Sequence, residues 1–427
     1  MEQTGILIIT GCMGSGKTTT LEYFRRTIAE KTVDWVIKNF SRNEKYEGSE
    51  KWILILDDCF GKFVANPVSL EDRITKLKTL LPLITQNKEN RKAIITMSKN
   101  EFSHFRSLLS TDDCEVEQCR LCLDKLEAKE KELIFDNMFK DPRIDISMKP
   151  TLQLQLQRID KESVAFHSLG WPLICRLALI PNISSDMDIF SKNPLQCLIG
   201  GMEKMKSSDE QLYCAMVYAL FKGGDVSKLV PKEGDENEKF LRNISRMFAE
   251  SMLPPESANQ SSPNTDKSMN KSDVFAFIRH KLSGIYIQAP HFFERKGQEN
   301  FQFHHGIFEL GLLCHLYRTM PEFTITHLDI SLITELFRPK DYIVEFYELD
   351  ITYLCHFEIQ THEETKEAEA GKSTHKHVNE THTWIFTLEE YMFSFVIKRI
   401  PKDKIMEVFI NHPILNDSAF KLFLNKK

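Results

Sequence analysis

The chain has 427 residues, room for two or three domains of the usual ~100–150 residues, and its 42% apolar and 27% charged residues are those of an ordinary soluble globular protein. A net charge of −6 and a pI near 6.2 exclude the basic footprint of a protein that draws its affinity from nucleic-acid phosphates, so no nucleic-acid partner is expected. No basic segment leads into a long apolar one, and no run nears the ~20 apolar residues of a membrane-spanning helix, so a cytoplasmic chain without a membrane partner is expected.

In chain order, Ile6–Thr10, Trp52–Leu56 and Ala93–Thr96 are short, β-branched and continuously apolar, as strands covered on both faces must be. Helical stretches, Lys17–Lys31 and Leu70–Asn87, lie between them, with Pro82 a candidate kink in the second. Strand alternating with helix predicts an α/β fold with a parallel sheet over residues 1–110. Strand signals vanish from about 111 to 253; Cys119–Phe139 and Met202–Lys222 carry helical spacing and predict a helical domain.

Residues 254–273 are polar and proline-rich and predict a flexible linker. Over 274–330 the pattern is a helix at Val274–Leu282, strands near 284–288 and 300–303, and a helix from Ile307, which together predict a winged-helix-like domain. Residues 331–427 are expected to be a C-terminal helical region interrupted by a polar loop at 361–382. That loop holds His362, His375, His377 and His382, and nothing in the pattern orders them as ligands. Ten cysteines without a secretory signal predict reduced thiols. Cys114, Cys119 and Cys122 lack the second ligand pair of a zinc site.

The chemistry sits at the front. Gly11-Cys-Met-Gly14-Ser15-Gly16-Lys17-Thr18 fits the phosphate-binding pattern G-x-x-x-x-G-K-[ST], between a strand and a helix. Its glycines let the backbone wrap a phosphate, and its amides, with those of Thr18 and Thr19 opening the helix, point donors at the anion. Lys17 is expected to reach the β- and γ-phosphates of ATP, and the Thr18 hydroxyl to ligate Mg2+. Asp57 and Asp58 follow a buried strand at the edge where parallel sheets bind ligands. Asp57 would hold the metal and Asp58 would polarise the attacking water. Lys99, just past the third strand, is either a γ-phosphate sensor or a solvent lysine.

Taken in order, these residues resemble the STAND class of signal-transduction P-loop ATPases, and more narrowly the third novel STAND group, found in invertebrate animals. Asp57-Asp58-Cys-Phe60-Gly61-Lys-Phe63 carries the most distinctive likeness. Thr96-Met-Ser-Lys99 resembles the sensor segment, with lysine for the usual arginine, and Cys119–Phe139 the leucine-rich helical segment. Gly170-Trp-Pro172-Leu173 is similar to the GxP element, which adds Pro172 to the nucleotide site. Phe303-His304-His305-Gly-Ile-Phe-Glu309 is similar to the winged-helix F-x-H-D-x-I-F-E stretch, with His305 in the aspartate's place.

The resemblance implies a switch. His304 would contact the β-phosphate of bound ADP and hold a closed monomer, unless it is simply a core or surface histidine. Exchange for ATP would open the module and favour a homo-oligomer, slow ATP hydrolysis would time it, and signalling partner proteins would read it. Longer members carry repeat arrays or effector domains, so a minimal switch or a fragment is expected here. Two alternatives stand beside it: a P-loop kinase for a nucleotide or small molecule, and a binding module that does not hydrolyse.

Overall fold

The computed structural model describes residues 4–31, 35–39, 51–62, 66–110, 115–140, 144–162, 169–180, 194–221, 287–288, 302–303, 305–339, 386–388 and 390–426. They fall into two compact units: Met1–Arg176 with Ser331–Lys427, and Leu177–Ile330.

The first unit is built on a five-stranded sheet, all parallel, in the order β2-β3-β4-β1-β5. Its strands are β1 (Ile6–Gly11), β2 (Val36–Asn39), β3 (Trp52–Leu56), β4 (Arg91–Ser98) and β5 (Arg120–Cys122). Between them run α1 (Lys17–Lys31), α2 (Pro67–Gln86) and α3 (Lys99–Leu109). Because strand side chains alternate, β1 feeds both faces. Ile6 and Ile8 enter a core with Leu77, Leu81 and Phe102 of α2 and α3. Ile9 enters a second core with Leu21, Phe24 and Ile28, the inward stripe of α1. The expected α/β architecture is therefore observed, and Pro82 lies inside a continuous α2.

Strands do not stop at 110, as the sequence suggested. Residues 120–122, expected within a helix, form β5 and pair with Ile8–Thr10 of β1. The helix of that segment, α4, is confined to Ala128–Met138, followed by α5 (Lys149–Glu162) and α6 (Trp171–Ala178). The C-terminal part of this unit is not purely helical either. Helix α11 (Ile330–Leu336) runs into β8 (Phe337–Pro339), which pairs in parallel with β9 (Phe386–Leu388). Three short helices follow: α12 (Phe393–Lys398), α13 (Ile405–Val408) and α14 (Ser418–Lys426).

The second unit contains α7 (Pro194–Ser208), α8 (Glu210–Phe221), the antiparallel pair β6 (Ile287–Gln288) and β7 (Gln302–Phe303), α9 (Gly306–Thr319) and α10 (Pro321–His327). Helix α9 is apolar nearly all round and correspondingly buried from Ile307 to Leu316. Its buried His315 is held between Tyr213 Oη, 2.6 Å from Nδ1, and the Glu203 carboxylate at Nε2. The strand pair and the helix after it fall where strands near 284–288 and 300–303 and a helix from Ile307 were expected. Residues 274–282, the linker 254–273 and the loop 361–382 lie outside the described residues. Among the described residues no helix is long and apolar enough to cross a membrane.

Candidate nucleotide site

The site forms at the carboxyl ends of β1, β3 and β4. Since β4 lies between β1 and β3, it is the strand that joins the glycine loop to the acidic pair. Gly14 and Gly16 take φ of 76° and 96°, a left-handed backbone open chiefly to glycine, and this turns the loop into the first turn of α1. Lys17 Nζ donates to the carbonyls of Gly11 and Cys12, both at 3.1 Å, and so folds back over its own loop. Ser15 is buried, while Thr18 and Thr19 are exposed at the start of α1.

Thr18 Oγ1 donates to Asp57 Oδ1 at 3.2 Å. The same oxygen accepts from Thr96 Oγ1 at 2.7 Å, and Thr96 Oγ1 accepts in turn from the Asp58 amide at 2.7 Å. Thr18, Asp57, Thr96 and Asp58 are thus one hydrogen-bonded line across the ends of three elements. Asp58 is forced to a φ of 44° to follow it. Burial, and then the neighbouring Asp57 charge, push the Asp58 carboxyl up to about 7. A hydroxyl and a carboxylate, both hard oxygen donors within hydrogen-bonding distance, suit Mg2+.

Two further supports hold the loop. The Cys12 amide donates to Asp124 Oδ1 at 2.8 Å, just beyond β5. On the other side Gly170 donates its amide to Met13 O at 2.7 Å, and Met13 forms a bridge with Leu169. A β-carbon on Gly170 would lie 2.3 Å from Ser15 N and Cα. One on Gly14 would lie 2.2 Å from Leu173 Cβ. The Gly-Trp-Pro-Leu element, placed by sequence in a helical region, therefore lies directly on the loop with Pro172 in the first turn of α6. Trp171 anchors it by donating Nε1–H to Lys131 O at 2.9 Å.

Gly11, Gly14, Ser15, Gly16, Lys17, Thr18, Thr19, Asp57, Asp58 and Pro172 are brought into one neighbourhood. Lys99 is not tied to it: exposed at the start of α3, it makes no hydrogen bond or ion pair with Lys17, Asp57 or Asp58. His304 lies outside the described residues. Its neighbour His305 caps α9, Nδ1 accepting from the Ile307 amide at 3.1 Å, as an aspartate there would. Sequence reasoning missed Thr96, Asp124 and Glu101. A signal existed for Glu101, because Ser98-x-x-Glu101 is a capping-box spacing.

The chain is similar to the Aeropyrum pernix ORC1 protein, solved in complex with DNA, at 9% identity over 73% of this chain and 86% of that one. At a TM-score of 0.27 that likeness has no bearing on function. No curated protein matches the chain. A family model does: residues 1–141, from β1 through α4, match Novel STAND NTPase 3.

Proposed function

We propose that the chain is an ATP-binding switch of STAND type that exchanges ADP for ATP, hydrolyses ATP slowly and serves as a signalling or innate-defence scaffold. The observation that carries the reading is the line from Thr18 through Asp57 and Thr96 to the Asp58 amide. It fixes the phosphate loop and the acidic pair as one piece, so a charge change at the nucleotide is felt in the first turn of α1 and at the carboxyl ends of β3 and β4.

Lys17 would exchange its two carbonyl partners for phosphate oxygens, as a lysine with rotatable donors does readily. Thr18 and Asp57 would hold Mg2+, which when bound neutralises charge on the β- and γ-phosphates. Asp58 would face the attacking water. The Gly170–Leu173 element rests on the loop and would transmit its state to the helical residues that follow. His304 would contact ADP in the closed state; that role rests on the resemblance at Phe303–Glu309. Differential affinity for the two nucleotides is what would move the equilibrium between closed and self-associating forms.

Calorimetric titration with Mg·ATP and Mg·ADP, beside light scattering, tests this reading in wild type, Lys17→Ala and His304→Ala. Wild type should bind both nucleotides, Lys17→Ala neither, and His304→Ala should lose ADP affinity selectively. Equal affinities for ADP and ATP with no change in particle size would end the switch reading and leave nucleotide binding standing.

A further inference from the structure

Glu101 is a buried acid that the binding scheme above does not use. It stands in the first turn of α3, 9% exposed. A capping box fixes it: Oε2 accepts from the Ser98 amide at 2.8 Å, and Ser98 Oγ accepts from the Glu101 amide at 3.1 Å. Ser98 pairs in register with Gly11, the first glycine of the loop. It also stands two residues beyond Thr96 on the same face of β4. The cap therefore lies beside both the phosphate loop and the Thr96–Asp57 line.

A helix cap needs one carboxylate oxygen and leaves the other in water. Here the other, Oε1, is buried and has no hydrogen-bond partner among the described residues. Such an oxygen is costly unless something donates to it. Burial first pushes the Glu101 carboxyl up, the Ser98 bonds and the Lys17 charge oppose that, and Glu335 of α11 adds to it. Glu101 in turn raises Asp58. Lys17, Asp58 and Glu101 thus share one electrostatic neighbourhood.

We propose that Glu101 is a third acid of the nucleotide site, whose Oε1 holds the water that attacks the terminal phosphorus of a bound nucleoside triphosphate. This rests on the nucleotide-binding reading above. The water oxygen bonds to phosphorus, the bond from phosphorus to the β,γ-bridging oxygen breaks, and that electron pair leaves on the diphosphate. The water proton passes to an oxygen of the released phosphate. Glu101 fixes the line of attack by accepting a hydrogen bond from the water, from the β4–α3 side opposite Asp58's own strand.

The experiment compares single-turnover hydrolysis, calorimetric affinity for Mg·ATP and melting temperature in wild type, Glu101→Gln and Ser98→Ala. Glutamine keeps its one oxygen for the Ser98 amide and puts an NH2 donor where the water needs an acceptor. Glu101→Gln should slow hydrolysis on the order of 10²-fold with affinity unchanged. Ser98→Ala should lower the melting temperature and leave turnover nearly intact. Unchanged hydrolysis in Glu101→Gln, or an equal loss in Ser98→Ala, would make Glu101 a helix cap and nothing more. Wild type that binds Mg·ATP without ever turning it over would overturn the proposal and spare the binding reading. Wild type that binds no nucleotide would bring down the reading on which the proposal stands.

Discussion

Gly170 touches the phosphate loop backbone to backbone: any side chain there would meet Ser15 N and Cα at 2.3 Å. The contact explains why a residue more than 150 positions along the chain must be glycine for the loop to keep its shape. Gly170→Ala is expected to destabilise the first unit by ~1–3 kcal/mol, the usual cost of overpacking. Affinity for Mg·ATP should fall with it. Gly200, inside α7 with open space where a β-carbon would stand, is the control. Gly200→Ala should stabilise by about 0.5–1 kcal/mol through helix propensity alone. Denaturant melts and calorimetry on the two variants separate the effects.

Thr96 is the hinge pin of the acidic pair. Thr96→Val keeps the shape and removes the hydroxyl, leaving the Asp58 amide without its acceptor at a cost of about 1–3 kcal/mol. Asp57 is exposed, so water replaces the lost bond there in energy but not in direction. The magnesium dependence of ATP affinity should therefore weaken more than stability does. Thr96→Ser restores the hydroxyl and should recover both; a serine variant as poor as valine would show that the methyl group, not the hydroxyl, matters.

Asp124 holds the Cys12 amide across 112 residues of sequence. Asp124→Ala should cost about 0.5–1.5 kcal/mol, the net worth of one such bond, and loosen the loop. Asp124→Asn keeps an oxygen acceptor and removes a negative charge beside an anion site, so its ATP affinity should equal or exceed wild type. Titration of both variants at one salt concentration checks the order.

His412 gives a pH dependence. It is buried with Nδ1 accepting from the Ile414 amide at 3.1 Å and Nε2 3.4 Å from Arg338 Nη1. Burial first, and the Arg338 charge next, hold its pKa well below 6.5. The folded ring stays neutral where the unfolded ring takes a proton, so this stability is full above about pH 6.5 and is lost as pH falls below it. The slope is at most ~1.4 kcal/mol per pH unit for one proton. Unfolding free energies at pH 7.5 and 5.5 should converge for wild type and His412→Gln as the pH drops. A constant difference across that range would mean the ring titrates alike in both states.

What the sequence makes legible follows from burial. β1, β3 and β4 occupy the middle of the sheet, are covered on both faces and therefore read as unbroken apolar runs. β2 and β5 are edge strands, where Val36 is 46% and Leu121 37% exposed, so neither needs an apolar pattern. The loop and the acidic pair were visible because their chemistry is local. Asp124 and Gly170 act through space on a loop far away in sequence, and no short pattern encodes such contacts. Thr96 stood inside a segment whose final residue, Lys99, drew attention by its charge; the hydroxyl three positions earlier makes the contact.

The unit that carries the phosphate loop is written in two pieces, 1–176 and 331–427, with the second unit inserted between them. Asn411 Nδ2 reaches Glu71 Oε2 at 3.4 Å, a contact spanning 340 residues. A ribosome therefore releases the loop, the acidic pair and the whole sheet long before the strands and helices that complete their unit exist. Until that second piece arrives, the surfaces it covers stay open to chaperones or to wrong partners. A chain shortened at Ile330 would keep every candidate site residue and still lack part of the unit in which they are held.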